Sequence, residues 1–310
     1  MIDHRPLGSS GLATPALILG GNVFGWTADE ATSRAVLDRY VDATPSTVSP
    51  FVDTAESYGD GASEQILGRW LRSHGQRDRV VVATKASRHN KEHPLSATEI
   101  RTAAEKSLRN LQVEAIDLYY AHHDDQSTPL EETMRGFDDL VQSGKVRYVA
   151  ASNYSAARLA EALQASAHAG LARYVVLQTH YNLMERPTYE EELAAVVEEH
   201  DLGCLPYFAL ARGFLTGKYS SGQEVDSPRA EGAAAYVGAR GDRVLDALTR
   251  VARAQTTSVA AVALRWLADQ RTVTAPIASA RSVEQLADLL PMQDLVLTED
   301  DRRLLTDASA

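Results

Sequence analysis

The 310-residue chain carries 44% hydrophobic and 24% charged side chains and a formal net charge of −11, which is ordinary globular usage and excludes extended disorder. Its basic residues are scattered and form no stripe to neutralise a phosphate backbone, so neither a nucleic acid nor an anionic membrane is expected as a partner. No apolar run approaches the roughly 20 residues that span a bilayer. The start, MIDHRPLGSSGL, lacks a secretory pattern, and the lone Cys204 in LGCLPYF reads as a buried inert thiol; both favour a cytoplasmic protein.

Taken in chain order, the sequence opens with an expected hairpin around Gly8 and Gly11. Strand candidates follow at ALILG (16–20), FVDT (51–54), VVVATK (80–85) and IDLYYAH (116–122). Four more lie at VRYVAAS (146–152), YVVLQTH (174–180), LGCLPY (202–207) and TVTAPI (272–277). Between them run DEATSRAVLDRYV, SATEIRTAAEKSLRNL, LEETMRGFDDLVQSG and SAARLAEALQASAHAG, with apolar residues three and four apart, the spacing of an amphipathic helix. Eight β-rich runs alternating with helices, and no linker between them, predict one domain over 1–310: a parallel (β/α)8 TIM barrel of the α/β class. An open doubly wound sheet would show a glycine-rich turn after its first strand, and GGNVFG at 20–25 does not match G-x-G-x-x-G. The segment from Gly217 to Gly241 is read as a long loop after the seventh barrel strand, and as a flap over the site.

Barrel sites gather where the strands end at their carboxyl side. The polar residues at those ends are Asp53 with Tyr58, Lys85, His122, Ser152 with Asn153, Gln178 and Tyr207. A phenol releases its proton slowly at neutral pH unless a cation stabilises the phenolate. Lys85 is the candidate for that cation, and Asp53 the candidate for the carboxylate it needs to stay charged. With an imidazole at His122 to orient the substrate oxygen, the group suits protonation of an oxygen that becomes negative as a carbonyl accepts hydride. Each residue alone has an ordinary explanation as a cap, a packing ring or an edge charge; their coincidence at strand ends favours the catalytic one.

Two weaker signals are set aside. His122-His123-Asp124-Asp125 suggests a metal, but neighbouring strand residues point to opposite faces and no third ligand stands out, so none is expected. GFLTGKYS has the wrong glycine spacing for a phosphate loop, with Tyr219 where a hydroxyl ligand belongs.

These segments together resemble the aldo-keto reductase family. FVDTAESYGDGASEQILGRWL, VVVATK and IDLYYAHHDD are similar to its motifs in order, as are VAASNYS, LQTHYNL and LPYFALARGFLTGKY, and the likeness runs from about residue 5 to residue 305. The resemblance implies Tyr58 as general acid, tuned by Lys85 and Asp53, with His122 positioning the carbonyl. It implies that Ser152, Asn153 and Gln178 bind the nicotinamide carboxamide and that Tyr207 stacks on the ring. Gly213, Leu215 and Lys218 then meet the pyrophosphate, and Ser279, Arg281 and Gln285 lie around the adenosine and its 2′-phosphate. Arg281 can bind a phosphate through two parallel hydrogen bonds, which favours NADPH, with NADH possible. The chain departs from the family pattern at Phe208, where a serine is common, at Ala278-Ser279 in place of Pro-Gly, and at Leu289 in place of an asparagine. Phe24, Trp26, His123 and Phe208 are expected to form an apolar wall for a small-molecule carbonyl substrate. The competing functions are a cofactor-sensing regulatory subunit of the same fold and a barrel isomerase or aldolase with a Schiff base at Lys85. The second needs a neutral lysine, which Asp53 opposes.

Overall fold

A computed structural model describes residues 5–86, 92–219 and 230–310. Strands β1 (Arg5–Pro6) and β2 (Ala13–Thr14) form the antiparallel hairpin expected at the start. Eight further strands make one parallel sheet: β3 (Ile18–Gly20), β4 (Phe51–Asp53), β5 (Val81–Ala86), β6 (Ile116–Ala121), β7 (Val146–Ser152), β8 (Tyr174–Gln178), β9 (Gly203–Cys204) and β10 (Ile277–Ala278). The strands pair in chain order, with β10 beside β3. Backbone bonds close the ring between the seventh and eighth barrel strands: Thr274 N–H donates to Cys204 O and Ile277 N–H to Pro206 O, each at 2.9 Å. The result is the eight-stranded parallel barrel; β7 spans the whole run that predicted it and β5 is as long as its run, while the other six strands are shorter because pairing stops where the ring opens into loops.

The helices surround this ring. Those predicted from spacing form as α1 (Glu30–Ala43), α3 (Ala97–Leu111), α4 (Leu130–Gln142) and α5 (Ala156–Ala169), with α2 (Ala62–His74) after β4 and α6 (Ala194–Glu199) after β8. Asp29, Ser96 and Ser155 cap three of them by accepting the backbone N–H three residues on, which satisfies donors a helix start leaves open. The carboxyl-terminal part adds α7 (Ala230–Ala234), α8 (Ala239–Gln255), α9 (Val259–Ala268), α10 (Val283–Leu289) and α11 (Glu299–Ser309). The long loop expected over Gly217–Gly241 is therefore interrupted: α7 lies inside it and α8 begins before it ends, because the alanines of AEGAA and the alanine, leucine and arginine residues of ARGDRVLDALTRVARAQ outweigh the one glycine in each. Residues 220–229, the middle of the proposed flap, lie outside the described residues.

Strand alternation decides what faces inward. Ile18, Phe51, Ala83, Tyr120, Ala150, Val176, Leu205 and Ile277 fill the ring, and Leu7 of the hairpin belongs to the same buried cluster. A larger cluster, with Trp70 and Trp266 among its members, packs helices on the outer faces. Moving two residues on from an interior position gives the next inward residue, now at the mouth: Phe51 to Asp53, Ala83 to Lys85, Tyr120 to His122, Ala150 to Ser152, Val176 to Gln178 and Leu205 to Tyr207. Core periodicity alone thus delivers six polar groups to one end. Among the described residues no helix is long and apolar enough to cross a membrane. Cys204 is fully buried, and burial pushes its thiol up to about 12.

Candidate active site

Lys85 is buried beneath the mouth, and its Nζ donates to Asp53 Oδ1 at 2.5 Å and to Thr54 O at 2.7 Å. The ammonium also faces two aromatic rings, with centroids at 5.1 Å for Tyr58 and 5.4 Å for Tyr120, and such contacts favour a cation. Burial by itself pushes Lys85 down, yet the Asp53 carboxylate and then Tyr58 outweigh it, so its pKa is raised and the amine stays charged. Asp53 is also pushed up by burial, against the pull of Lys85 and a 2.9 Å bond from Gln178 Nε2 to Oδ2. Two opposite charges this close in a dry interior hold each other ionised, whereas either alone would neutralise.

Tyr58 stands above this pair on a turn that only glycine makes easy. Gly59, Asp60 and Gly61 all have positive φ, at 57°, 55° and 94°, a region that costs an L-residue energy and glycine little. The helix after the turn is fastened from behind. Ser63 Oγ donates to Gly21 O at 2.8 Å, and the buried Glu64 accepts from Thr84 Oγ1 at 2.7 Å and Asn110 Nδ2 at 2.9 Å. Tyr58 is thereby held edge-on to His122, with ring centroids 6.2 Å apart.

His122 and His123 leave a bend rather than a strand, because β6 stops at Ala121. Their rings stack at 4.8 Å with planes 21° apart, so the expectation that they point to opposite faces is corrected. The two aspartates that follow serve the loop. Asp124 takes a two-pronged ion pair from Arg158, at 2.9 and 3.0 Å. Asp125 accepts from Leu95 N, Ser127 N, Ser127 Oγ and Thr128 Oγ1 at 2.5–3.0 Å. Among the described residues no group of three His, Cys, Asp or Glu side chains is placed to hold a metal ion.

A cavity of about 610 Å³ opens above the group, within the usual range for small-molecule sites. Asp53, Tyr58 and His122 line one part of it and Arg281 and Gln285 another. On the wall between, Asn153 ties two walls together: Nδ2 donates to His122 O at 2.8 Å and Oδ1 accepts from Tyr207 OH at 2.7 Å. Its Nδ2 also lies 3.1 Å from Ser152 Oγ, which accepts there and keeps its own proton to give. Tyr207 is pinned by this bond and by His180, whose ring is stacked parallel to it at 5.5 Å.

Comparison with known proteins gives this arrangement a family. The aldo/keto reductase family model matches residues 16–310. The chain belongs to the aldo/keto reductase family, a family of oxidoreductases. It is 32% identical to an uncharacterized oxidoreductase, YrpG, of Bacillus subtilis, covering 99% of this chain and 95% of that one. It is 31% identical to an L-glyceraldehyde 3-phosphate reductase of Escherichia coli O157:H7, covering 93% and 86%. A probable voltage-gated potassium channel subunit beta of Oryza sativa is 30% identical, with 95% and 92% covered.

As a member of this family, the chain brings most of its sequence-predicted residues to one cavity. Ser152, Asn153, Gln178, Tyr207, Gly213, Lys218, Ser279, Arg281 and Gln285 line it, as do His123 and Phe208. Three do not. Leu215 and Phe24 are buried in the outer apolar cluster and present nothing to the cavity. Trp26 is 57% exposed on the surface of the first β/α loop, because the Gly25 turn carries it past the rim. Lys85 lies behind the wall and acts on the cavity through Tyr58 and Asp53.

Other contributors were not singled out from the sequence. Tyr120, one of the interior fillers, supplies the second ring facing Lys85. Asn22 accepts from Ser279 Oγ at 2.7 Å and joins the first barrel strand's end to the last. Arg212 also lines the cavity, with its guanidinium 4.4 Å from the Phe208 ring centroid. Alternation could have flagged Tyr120; the other two depend on loop geometry.

Proposed function

We propose that this family member is an NADPH-dependent carbonyl reductase that converts an aldehyde or ketone to its alcohol, with Tyr58 as general acid. The observation that carries the reading is the buried Lys85–Asp53 pair beneath Tyr58. A fixed positive charge under a phenol eases its ionisation, so Tyr58 can give its proton to the carbonyl oxygen as negative charge develops there. Lys85 stays cationic throughout and stabilises the phenolate left behind. His122 faces Tyr58 from across the mouth and orients the carbonyl oxygen between them. A Schiff-base role for Lys85 needs a neutral amine, and Asp53 opposes it.

The lining fits a nicotinamide dinucleotide. Tyr207 offers a flat ring pinned by Asn153, Ser152 a hydroxyl, and Gln178 an amide already aligned by Asp53. Lys218 and Arg281 supply cations for phosphates farther along. When bound, the reduced nicotinamide supplies a hydride to the carbonyl carbon. Arg281 reads the 2′-phosphate, with its backbone N–H held 3.2 Å from Gln285 Oε1. Support for a reductase also comes from the L-glyceraldehyde 3-phosphate reductase among the relatives.

The probable channel subunit among the relatives makes cofactor binding without turnover the competing reading, and one assay separates the two. The wild-type protein should oxidise NADPH in the presence of simple aldehydes. Tyr58→Phe should bind NADPH as tightly by fluorescence titration and lose at least about 10²-fold in kcat. Undiminished turnover in that variant overturns the assignment, and a wild type that binds NADPH but reduces no aldehyde favours the sensing subunit.

A further inference from the structure

Two residues past Gln178, His180 pairs through its backbone with Tyr207, and Tyr207 N–H donates to Thr179 O at 2.9 Å. The two side chains therefore leave neighbouring segments on one face and stack, with centroids 5.5 Å apart and planes 16° from parallel. Tyr207 lines the cavity and His180 does not, so the phenol stands between the imidazole and the cavity. Phe208 closes the imidazole from the side, nearly edge-on at 5.4 Å. Asn182 fastens Phe208 in turn, with Nδ2 donating to its carbonyl at 2.9 Å. The imidazole is a fixed ring one layer behind the platform proposed for the nicotinamide.

Its surroundings keep that ring uncharged at neutral pH. The Nε2 atom is enclosed and meets no hydrogen-bond partner among the described residues, so a proton there is a buried donor with nothing to receive it. Burial pushes the imidazole below its ordinary value of 6.5; Glu185 opposes the push and Arg212 adds to it. Among the described residues these are the charged groups that act on His180, one from the segment after β8 and one from that after β9. Both also act on the Tyr236 hydroxyl. Tyr207 is the titratable group against its face, and burial pushes that hydroxyl up. Tyr58, His122 and His123 belong to the cavity that Tyr207 walls. His180 is therefore a neutral ring near pH 7 that gains a charge only in acid.

We propose that His180 sets how strongly the site holds oxidised against reduced nicotinamide: neutral, it lets the platform accept the positively charged oxidised ring, and charged, it repels that ring while sparing the reduced one. The proposal rests on the reading of the cavity as a nicotinamide site and adds a determinant of cofactor redox state. The oxidised ring carries one positive charge and the reduced ring none, so a cation behind Tyr207 acts on one form only. Two like charges on opposite sides of one ring, in a partly dry site, change affinity about 10-fold. Reduction leaves the oxidised form in the site, and its release precedes the next turnover. The charge on His180 thus bears on turnover in acid as well as on binding.

The test titrates the full chain with NADPH and with NADP+ at constant ionic strength between about pH 8 and pH 5, read by nucleotide and protein fluorescence. The ratio of the NADP+ Kd to the NADPH Kd should rise toward acid about 10-fold more in the wild type than in His180→Phe or in His180→Gln, a second uncharged variant. Titration of the 2′-phosphate falls on both nucleotides alike, and His122 and His123 remain in every variant, so the difference isolates His180. His180→Arg, which stacks a permanent flat cation on the phenol, should show the raised ratio already at the alkaline end. A wild-type ratio that stays level, one that rises equally in the two uncharged variants, or an unraised ratio in His180→Arg overturns the proposal and leaves carbonyl reduction standing. A wild type that binds neither nucleotide removes the nicotinamide reading and this inference with it.

Discussion

The two ends of the cavity are built in different ways. At the reaction end, Asp53, Lys85 and Gln178 are buried and bonded to one another, on strands whose inward alternation continues the barrel core. At the other end, Ser279 and Arg281 lie on the segment between β10 and α10 and Gln285 in the first turn of α10, all half-buried, with local bonds such as Ser279 to Asn22. The first end is set by folding, so its geometry cannot shift without cost to the core. The second is set by a few side chains over solvent, so it can change affinity without disturbing the barrel. Mutations should therefore couple stability to activity at one end and separate them at the other.

The largest expected effect is at Lys85. Lys85→Met should lower kcat by about 10³-fold or more, because the phenol loses its cation, and should cost about 3 kcal/mol of stability by leaving Asp53 buried without its partner. The cost sits at the low end because burial already favours a protonated Asp53. Steady-state kinetics and denaturant melts measure the two. In Lys85→Met combined with Asp53→Leu, stability should return while activity does not. Recovered activity in the double variant would break the link between the buried pair and the chemistry.

Arg281→Ala should behave oppositely. NADPH Kd should rise about 10- to 100-fold with the melt nearly unchanged, and NADH binding should not move. Equal losses for both cofactors would show that Arg281 does not read the 2′-phosphate. Asn153 lies between the ends, and its expected effect is intermediate. Asn153→Ala removes the bonds to Tyr207 and to the His122 carbonyl from a residue at φ 58°. It should lower kcat/KM about 10-fold by loosening both walls, and an unchanged value would mean that the Tyr207 ring is held by His180 alone.

The same contrast explains what could be read from the sequence. The barrel and its reaction end were legible because period-2 alternation is a local rule: once Phe51, Ala83 and Tyr120 are taken as inward, Asp53, Lys85 and His122 follow. Short strands blurred only the boundaries, since in β3, β6, β8 and β9 pairing covers less than the apolar run. Loop-borne residues obey no such rule. Phe24 and Trp26 sit two apart in the first β/α loop, yet one is swallowed by the outer core and the other left at the surface. Arg212 was passed over in LARGFLTGKY because nothing local announces a left-handed turn that lays a guanidinium back over Phe208. The His-His pair was misjudged for a related reason, since alternation was carried on to His123, two residues past the end of β6 at Ala121.

The smallest effect tests how the loop bearing those histidines is held. Asp125 is resisted by burial, yet the bonds from Ser127 and Thr128 and from the backbone of Leu95 and Ser127 outweigh it and hold its carboxyl below the ordinary value of 3.8. A carboxylate depressed in the folded state contributes stability that is fully present above its unfolded pKa and is lost as pH falls through the lower folded value. Asp125→Asn should therefore melt about 2 °C below the wild type near neutral pH, and the gap should close only as the pH falls below 3.8. The loop is braced independently by Asp124 and Arg158, so His122 should stay in place and kcat should change less than in Asn153→Ala. A gap that persists unaltered well below that pH would mean that the bonds to Asp125 stabilise the loop through geometry alone, with no contribution from its charge.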